Sequence, residues 1–406
     1  MMIRGRWGWR GGGERVDLVV SRMFQSSSQA AAATGNDRMR FSLLAAASLA
    51  VAALLAAASC YALPSTTEVF SIGESGYSCI KIPYLLVTQS GVVIALAEAR
   101  INSCWDWAGT DLVFKRSVDN GSSWSAIGVV YSNSSNTTQE WNTIGNAAPV
   151  QLQPSGRILL PFCRNNFEVL QTWSDDDGET WAKPVAIPQA TRSHWKWVGA
   201  GPPGAIQLLS GRIVVPCYHS LVHDTNGEIS RSHVMLNDHA LGAADHWRLG
   251  GVVPALGQFG FFLTNECQAV EIAPDHILLA ARGFLLHRIQ ALSVDGGESF
   301  QNPYTISITE PLEGCAGSLI SHHNGTLFYS GTVNADPKRF NMTLWASQDK
   351  GSSWQLLRVV DTGRTACVYR HSHVIAVATE RVEALSQMMQ VQQSSGDGKR
   401  QHRAAL

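Results

Sequence analysis

A short polar segment that ends in a bulky aromatic is written four times along this chain: SVDNGSSW from Ser117, SDDDGETW from Ser174, SVDGGESF from Ser293 and SQDKGSSW from Ser347. In each copy the Asp can accept backbone N–H bonds across a tight turn, the Gly supplies a left-handed position, and the flanking Ser or Thr adds a second side-chain bond. The closing Trp or Phe has an apolar body to fold beneath the turn, so each copy closes a β-hairpin. The starts lie 57, then 119, then 54 residues apart. The middle interval is about twice the others, so a degenerate copy belongs near residues 232–238, where HVMLNDHALGAADHW places Asp238 in register and displaces Trp247 by a short insertion.

A fixed period of this size is the mark of a repeat architecture, and each unit holds several strand-like runs, among them GRILLPFC, EVLQTWS, GRIVVPCY, HILLAAR and GTLFYSG. Four strands per unit arranged radially make a β-propeller, which leaves only short edges unpaired. Residues 64–406 number 343, which a unit of about 57 divides into six. The expected fold is therefore all-β: a six-bladed β-propeller with four-stranded antiparallel blades spanning 64–366, followed by a divergent, polar and partly disordered tail over 367–406. A β-sandwich would give no reason for hairpin anchors at regular intervals.

The remaining composition narrows the partners. Hydrophobic residues are 45% and charged residues 16%, with 36 glycines, which suits a globular chain rich in strands and turns. A formal charge of −1 provides no long-range field for nucleic acid, so charge recognition must be local. Outside Cys60 there are seven cysteines (Cys79, Cys104, Cys163, Cys217, Cys267, Cys315 and Cys367) with no metal-ligand spacing. They read as buried small side chains with one or two disulfides, and no cofactor is implied.

Residues 1–63 form a separate N-terminal segment. Arg38 and Arg40 precede an apolar stretch from Phe41 to about Ser59, with small residues before Leu63, the layout of a secretory signal or, if retained, a single membrane anchor. Either reading sends the chain from about residue 64 into the secretory pathway, secreted or lumenal, as in a lysosome. N-x-S/T triplets at Asn120, Asn133, Asn136, Asn324 and Asn341 agree with that route.

Unusual polar residues stand beside apolar strands between the repeats. They are Lys81 in YSCIKIPYLL, Arg100 and Asp106 in ALAEARINSCWDWAGTDLVFKRS, Glu266 in TNECQAVEI, Arg282 in ILLAARG and Arg339 in RFNMTLWAS. With KIPYLL, GNAAPVQLQPSGRILLPFCRNN, GPPGAIQLLSGRIVVPC, NECQAVEI and GCAGSLI, the stretch from Glu68 to Arg364 resembles the exo-α-sialidase (neuraminidase) family, glycoside hydrolases that remove terminal sialic acid. The resemblance implies retaining hydrolysis of α-linked sialic acids on glycans, glycoproteins or glycolipids. A cation cluster of Lys81, Arg100, Arg282 and Arg339 would grip the sugar carboxylate, as a guanidinium does with two parallel bonds. Lys81 stands where the family has arginine, keeping the charge and losing the fork.

The same resemblance makes Asp106 the acid/base group, its pKa raised by partial burial between Trp105 and Trp107. It makes Glu266 the partner of a tyrosine nucleophile, with Glu271 a nearby alternative. The tyrosine is displaced here. In VVDTGRTACVYRHSHVIAVATERVEAL, Cys367 takes the expected place and Tyr369 follows two residues later, a shift of about 7 Å along a strand. A noncatalytic, lectin-like sialoside-binding propeller and a protein that binds partners through its turn-lined rim are the competing readings.

Overall fold

The second strand of each repeat carries the fold. Ile158–Arg164, Ile213–Ser220 and His276–Gly283 are almost wholly buried, because a central strand of a blade is covered on both faces by the neighbouring blades. That is why their sequences run continuously apolar instead of alternating. In the computed structural model, residues 67–361 are described apart from 133–141, 203, 223–229, 258–259, 262, 285, 312–313 and 334–339. The chain divides into Met1–Leu63 and Pro64–Leu406, and every described residue lies in the second unit. The apolar stretch 41–59, Asn133, Asn136, Arg339, Cys367 and Tyr369 lie outside the described residues.

Blade 1 is the antiparallel meander Cys79–Val87, Val93–Arg100, Thr110–Ser117 and Gly128–Tyr131. Blade 2 has an inner edge in two pieces, Ile144–Gly145 and Val150–Gln151, then Ile158–Arg164, Glu168–Ser174 and Val185–Ala186. Blade 3 repeats this plan with Trp197–Ala200 and Ile206–Gln207, then Ile213–Ser220, Ser230–Asn237 and Trp247–Val252. Blade 4 is Thr264–Ala273, His276–Gly283, His287–Ser293 and Tyr304–Thr309, and blade 5 is Ser318–Ser321, Leu327–Thr332, Met342–Ser347 and Gln355–Asp361. A two-stranded hairpin, Leu256–Gly257 with Gly260–Phe261, joins blades 3 and 4.

The described residues thus form five blades, not the six expected. The count of six treated the whole of 64–406 as repeat, whereas the described strands run from Cys79 to Asp361, about five periods. Hydrophobic side chains fill the spaces between consecutive blades. Ile94, Leu96 and Phe114 of blade 1 pack with Ile158, Leu160 and Phe162 of blade 2, and Val214, Val234 and Leu236 of blade 3 pack with Ile277 and Leu279 of blade 4.

The repeated turns follow the third strand of blades 1, 2, 4 and 5, all at one end of the blades. In the first, Ser117 Oγ donates to Asp119 Oδ1 at 2.7 Å and accepts Gly121 N–H at 2.8 Å, while Asp119 accepts Ser123 N–H at 2.8 Å. The same bonds recur around Asp176, Asp295 and Asp349. Blade 3 carries the degenerate copy, shifted by one residue from the expected register. Asn237 ends the third strand and takes the Ser position, its Oδ1 accepting His239 N–H at 2.9 Å. Asp238, expected to be the turn aspartate, instead pairs with Arg212 at 2.6 Å and Arg248 at 3.3 Å, because its side chain points outward from the strand end.

Candidate active site

At the blade ends opposite the turns, the chain is bent out of regular geometry where it carries charge. Register is lost between Lys81 and Tyr84, and Ile82 adopts φ 48. A β-branched residue in the left-handed region is an outlier, and such bulges re-aim side chains next to functional sites. Lys81 is thereby buried, 2% exposed, with its ammonium 3.3 Å from Asp106 Oδ1.

Arg100, at the end of the second strand of blade 1, brings its guanidinium to the same oxygen at 2.6 Å. Its other arm is fixed on Glu98 Oε2 at 2.9 Å, and Nη1 also donates to Cys104 O at 3.1 Å. Glu98 is held by Asn146 N–H, which donates to Oε1 at 2.9 Å. A Cβ on Gly145 would stand 2.2 Å from that oxygen, so only glycine lets blade 2 come this close. Sequence reasoning missed Glu98. Its signal is the E-x-R spacing in AEARI, which puts both side chains on one face of a strand.

Burial lowers the Lys81 pKa to about 8, and the neighbouring Arg100 charge acts in the same direction against the pull of Asp106. Asp106 is not sheltered as expected. Its side chain is 55% exposed and Trp105 is 62% exposed, because the loop 101–109 carries them outward instead of folding them between two indoles. What surrounds the Asp106 carboxylate is a pair of cations.

Blade 4 builds the second ion-paired group. Its inner strand skips register between Thr264 and Cys267, and Glu266, 5% exposed, lies beside Arg282 of the second strand with Oε2 to Nη1 at 2.9 Å. Asn265 Oδ1 accepts the Glu266 N–H at 2.7 Å, and Arg282 also lies over the Phe284 ring at 5.7 Å. Glu271, the alternative carboxylate, is used elsewhere: it accepts Leu209 N–H at 2.8 Å and Asp275 N–H at 2.9 Å at the turn end of the blade.

Aromatic side chains run between the two groups. Trp107 meets Trp197 of blade 3 edge to face at 6.0 Å, and the Trp197 indole donates to the phenol of Tyr218. Tyr218 is 7% exposed, with a pKa pushed well above the usual phenol value first by burial and then by the charge of Glu266. Its ring covers Gly199, where a Cβ would stand 2.1 Å away. Nothing in the sequence singled out Tyr218 or Trp197. A separate cavity of about 310 Å³ lies further along the axis toward the turn end, lined by Tyr84, Gln207, Gln268, Glu271 and Ser318 from the inner strands.

A disulfide, Cys79–Cys104, ties the first strand of blade 1 to the Asp106 loop, while Cys163, Cys217, Cys267 and Cys315 are buried free thiols, in keeping with the cysteine expectation. No cluster of ligands suited to a metal ion occurs among the described residues. Among them, too, no helix is long and apolar enough to cross a membrane.

Residues 164–383 match the model of a BNR repeat-like domain. The chain is 27% identical over 285 residues to Sialidase-4 of Mus musculus, covering 64% of this chain and 57% of that protein. It is 29% identical over 276 residues to Sialidase-3 of Bos taurus, covering 59% of this chain and 61% of that protein. It therefore spans little more than half the length of these relatives. Among solved structures, the Hadza microbial sialidase Hz136 is similar with a TM-score of 0.61 at 22% identity, over 71% of this chain and 60% of that one. The intramolecular trans-sialidase from Ruminococcus gnavus is similar with a TM-score of 0.57 at 17% identity, over 71% of this chain and 86% of that one. With the turns, the radial sheets and a family match over more than half of its residues, the chain belongs to the BNR repeat-like family.

Proposed function

We propose that the protein is an exo-α-sialidase that hydrolyses terminal α-linked sialic acids from glycoconjugates with retention. The observation that carries this reading is the convergence of Lys81 and Arg100 on one carboxylate oxygen at the mouth of the blades. Two desolvated cations aimed at a carboxylate form a receptor for an anionic sugar, and Arg282 adds a third from blade 4. Arg339 completes the grip in this reading. The relatives named Sialidase-4 and Sialidase-3 support it.

In the proposed reaction, the substrate carboxylate takes up the cations that now hold Asp106. Relieved of that pairing, Asp106 takes up a proton from solvent as the sugar binds and then, shielded from water, donates it to the glycosidic oxygen. Glu266 accepts the proton of a tyrosine nucleophile, Tyr369 in this reading. A neutral nucleophile avoids the repulsion a carboxylate would meet at an anionic sugar. A glycosyl-enzyme intermediate forms, and water activated by Asp106 then releases the sugar with net retention. The partners are sialylated glycoproteins and glycolipids, and the Cys79–Cys104 disulfide supports synthesis through the secretory pathway.

Release of a fluorogenic aglycone from an α-sialoside by purified protein tests the proposal. Glu266→Gln should lower kcat by about 10²-fold or more while substrate still binds. Lys81 in place of arginine favours a second reading, a lectin-like sialoside binder, and binding by the wild-type protein without any turnover would establish that one instead.

A further inference from the structure

We propose that the Cys79–Cys104 disulfide is a positioning element for catalysis, pinning the loop that carries Asp106 against Lys81 and Arg100. The inference rests on the hydrolase reading for its kinetic consequence and on geometry for the rest. Cys79 pairs in register with Arg100 across the first two strands of blade 1, and it stands two residues before Lys81. Cys104 stands two residues before Asp106, and the two Cα atoms are 5.3 Å apart. The bond therefore joins the strand that presents one cation to the loop that presents the acid.

The tie acts on a loop with a closed neck. Its neck is closed by Ile101 N–H donating to Gly109 O at 2.9 Å, and Ser78 Oγ donates to Ile101 O at 2.7 Å. Beyond the neck, the hydrogen bonds Ala108 N–H to Trp105 O and Trp105 N–H to Ser103 Oγ lie within the loop itself and do not attach it to a blade. Trp105 is 62% exposed and so contributes little burial to hold the tip. Attachments from the loop to the blades include the disulfide, the Arg100 to Cys104 O bond, the Asp106 ion pairs, the Trp107–Trp197 contact and the Thr143 Oγ1 to Ala108 O bond at 3.3 Å.

The ion pairs are the contacts that substrate must displace if its carboxylate takes the cations. At that moment the covalent tie keeps Asp106 within reach of the glycosidic oxygen. A displacement of about 1 Å is enough to cost a reaction two orders of magnitude.

The test compares the wild-type protein, Cys79→Ser, and Cys79→Ser with Cys104→Ser, together with folded wild-type protein treated with dithiothreitol. Reduction adds two electrons and two protons to the bond and leaves two thiols, while the dithiol closes to its cyclic disulfide; intact mass confirms the state. Two readouts are taken: amide hydrogen exchange over residues 101–109, and kcat and KM separately on a fluorogenic α-sialoside. Without the bond, loop exchange should rise about tenfold with the blade strands unchanged, and kcat should fall about tenfold with KM within about twofold.

Loop exchange that stays the same once the bond is gone overturns the proposal, and so does faster loop exchange with an unchanged kcat. Should the Ser variants fail to fold, the reduced wild-type protein supplies both readouts. A wild-type protein without turnover defeats the hydrolase reading instead, and the exchange measurement still decides whether the disulfide positions the loop.

Discussion

Lys81 sits at the junction of two demands, since it must be buried to aim at Asp106 and must stay charged to hold an anion. Burial and Arg100 bring its pKa down to about 8. The ammonium is therefore present at neutral pH and disappears as pH rises through about 8. An arginine in the same place would stay charged throughout and could form two parallel bonds to a carboxylate. KM for an α-sialoside should therefore rise between pH 7 and pH 9 in the wild-type protein. In Lys81→Arg this rise should vanish, and KM at pH 7 should fall about threefold or more. A pH profile of KM for both proteins checks this, and an identical alkaline rise in the variant would remove Lys81 from the carboxylate site. That Lys81, Arg100 and Asp106 come together was legible in the motifs that carry them. Their environment was not, because the shelter of Asp106 depends on how a nine-residue loop leaves its strands, and Glu98 lies buried beneath Arg100 with only the short E-x-R spacing to mark it.

The repeated turns bear on how blades meet. In blade 5, a Cβ on Gly351 would stand 2.4 Å from Leu278 of blade 4; in blade 2, one on Gly178 would stand 2.7 Å from Ile94 of blade 1. In the degenerate copy Gly242 of blade 3 meets Leu159 of blade 2 in the same way, at 2.4 Å. Each of these glycines also has positive φ, so one residue serves both the turn and the close approach of the preceding blade. Gly91 provides a control, since its φ is +88 like that of Gly351 and nothing lies within 4 Å of its Cβ position. Gly91→Ala should cost only the backbone strain of about 1–2 kcal/mol. Gly351→Ala should add overpacking of about 1–3 kcal/mol, read as a lower denaturant midpoint. Equal losses in the two variants would mean that the turn glycine has no part in the blade interface. The sequence pattern revealed the hairpins and their spacing because the bonds within each turn are local. It miscounted the blades because dividing a length by a period assumes that every residue belongs to a repeat. It misplaced the degenerate turn by one residue because Asn237 and His239 replace the usual Ser and Asp.

At the scale of the whole molecule, a buried histidine pair in blade 3 makes stability sensitive to acid. His219 Nδ1 lies 3.1 Å from His233 Nδ1, and the His219 ring stacks on Trp195 at 4.0 Å. Burial, then the charges of Arg231, His194 and Arg192, bring the His219 pKa down to about 4. His233, fully buried, is pushed well below the usual value by burial, by His219 and by Arg192. The unfolded chain takes up these protons near pH 6.5, whereas the folded protein does not take up the His219 proton until about pH 4. Stability from the pair is therefore full above pH 6.5 and is lost as pH falls toward 4, His219 alone accounting for up to about 3 kcal/mol. The turn aspartates act in a different window. Asp119 and Asp349, held near pKa 2 by the Ser123 and Ser353 hydroxyls, contribute above about pH 4 and fail only below it. Urea midpoints measured from pH 7 to pH 4 should fall steadily in the wild-type protein, and the slope should be shallower in His219→Gln. A flat wild-type profile would remove the acid sensitivity of the pair, and the same slope in the variant would place that sensitivity in other groups.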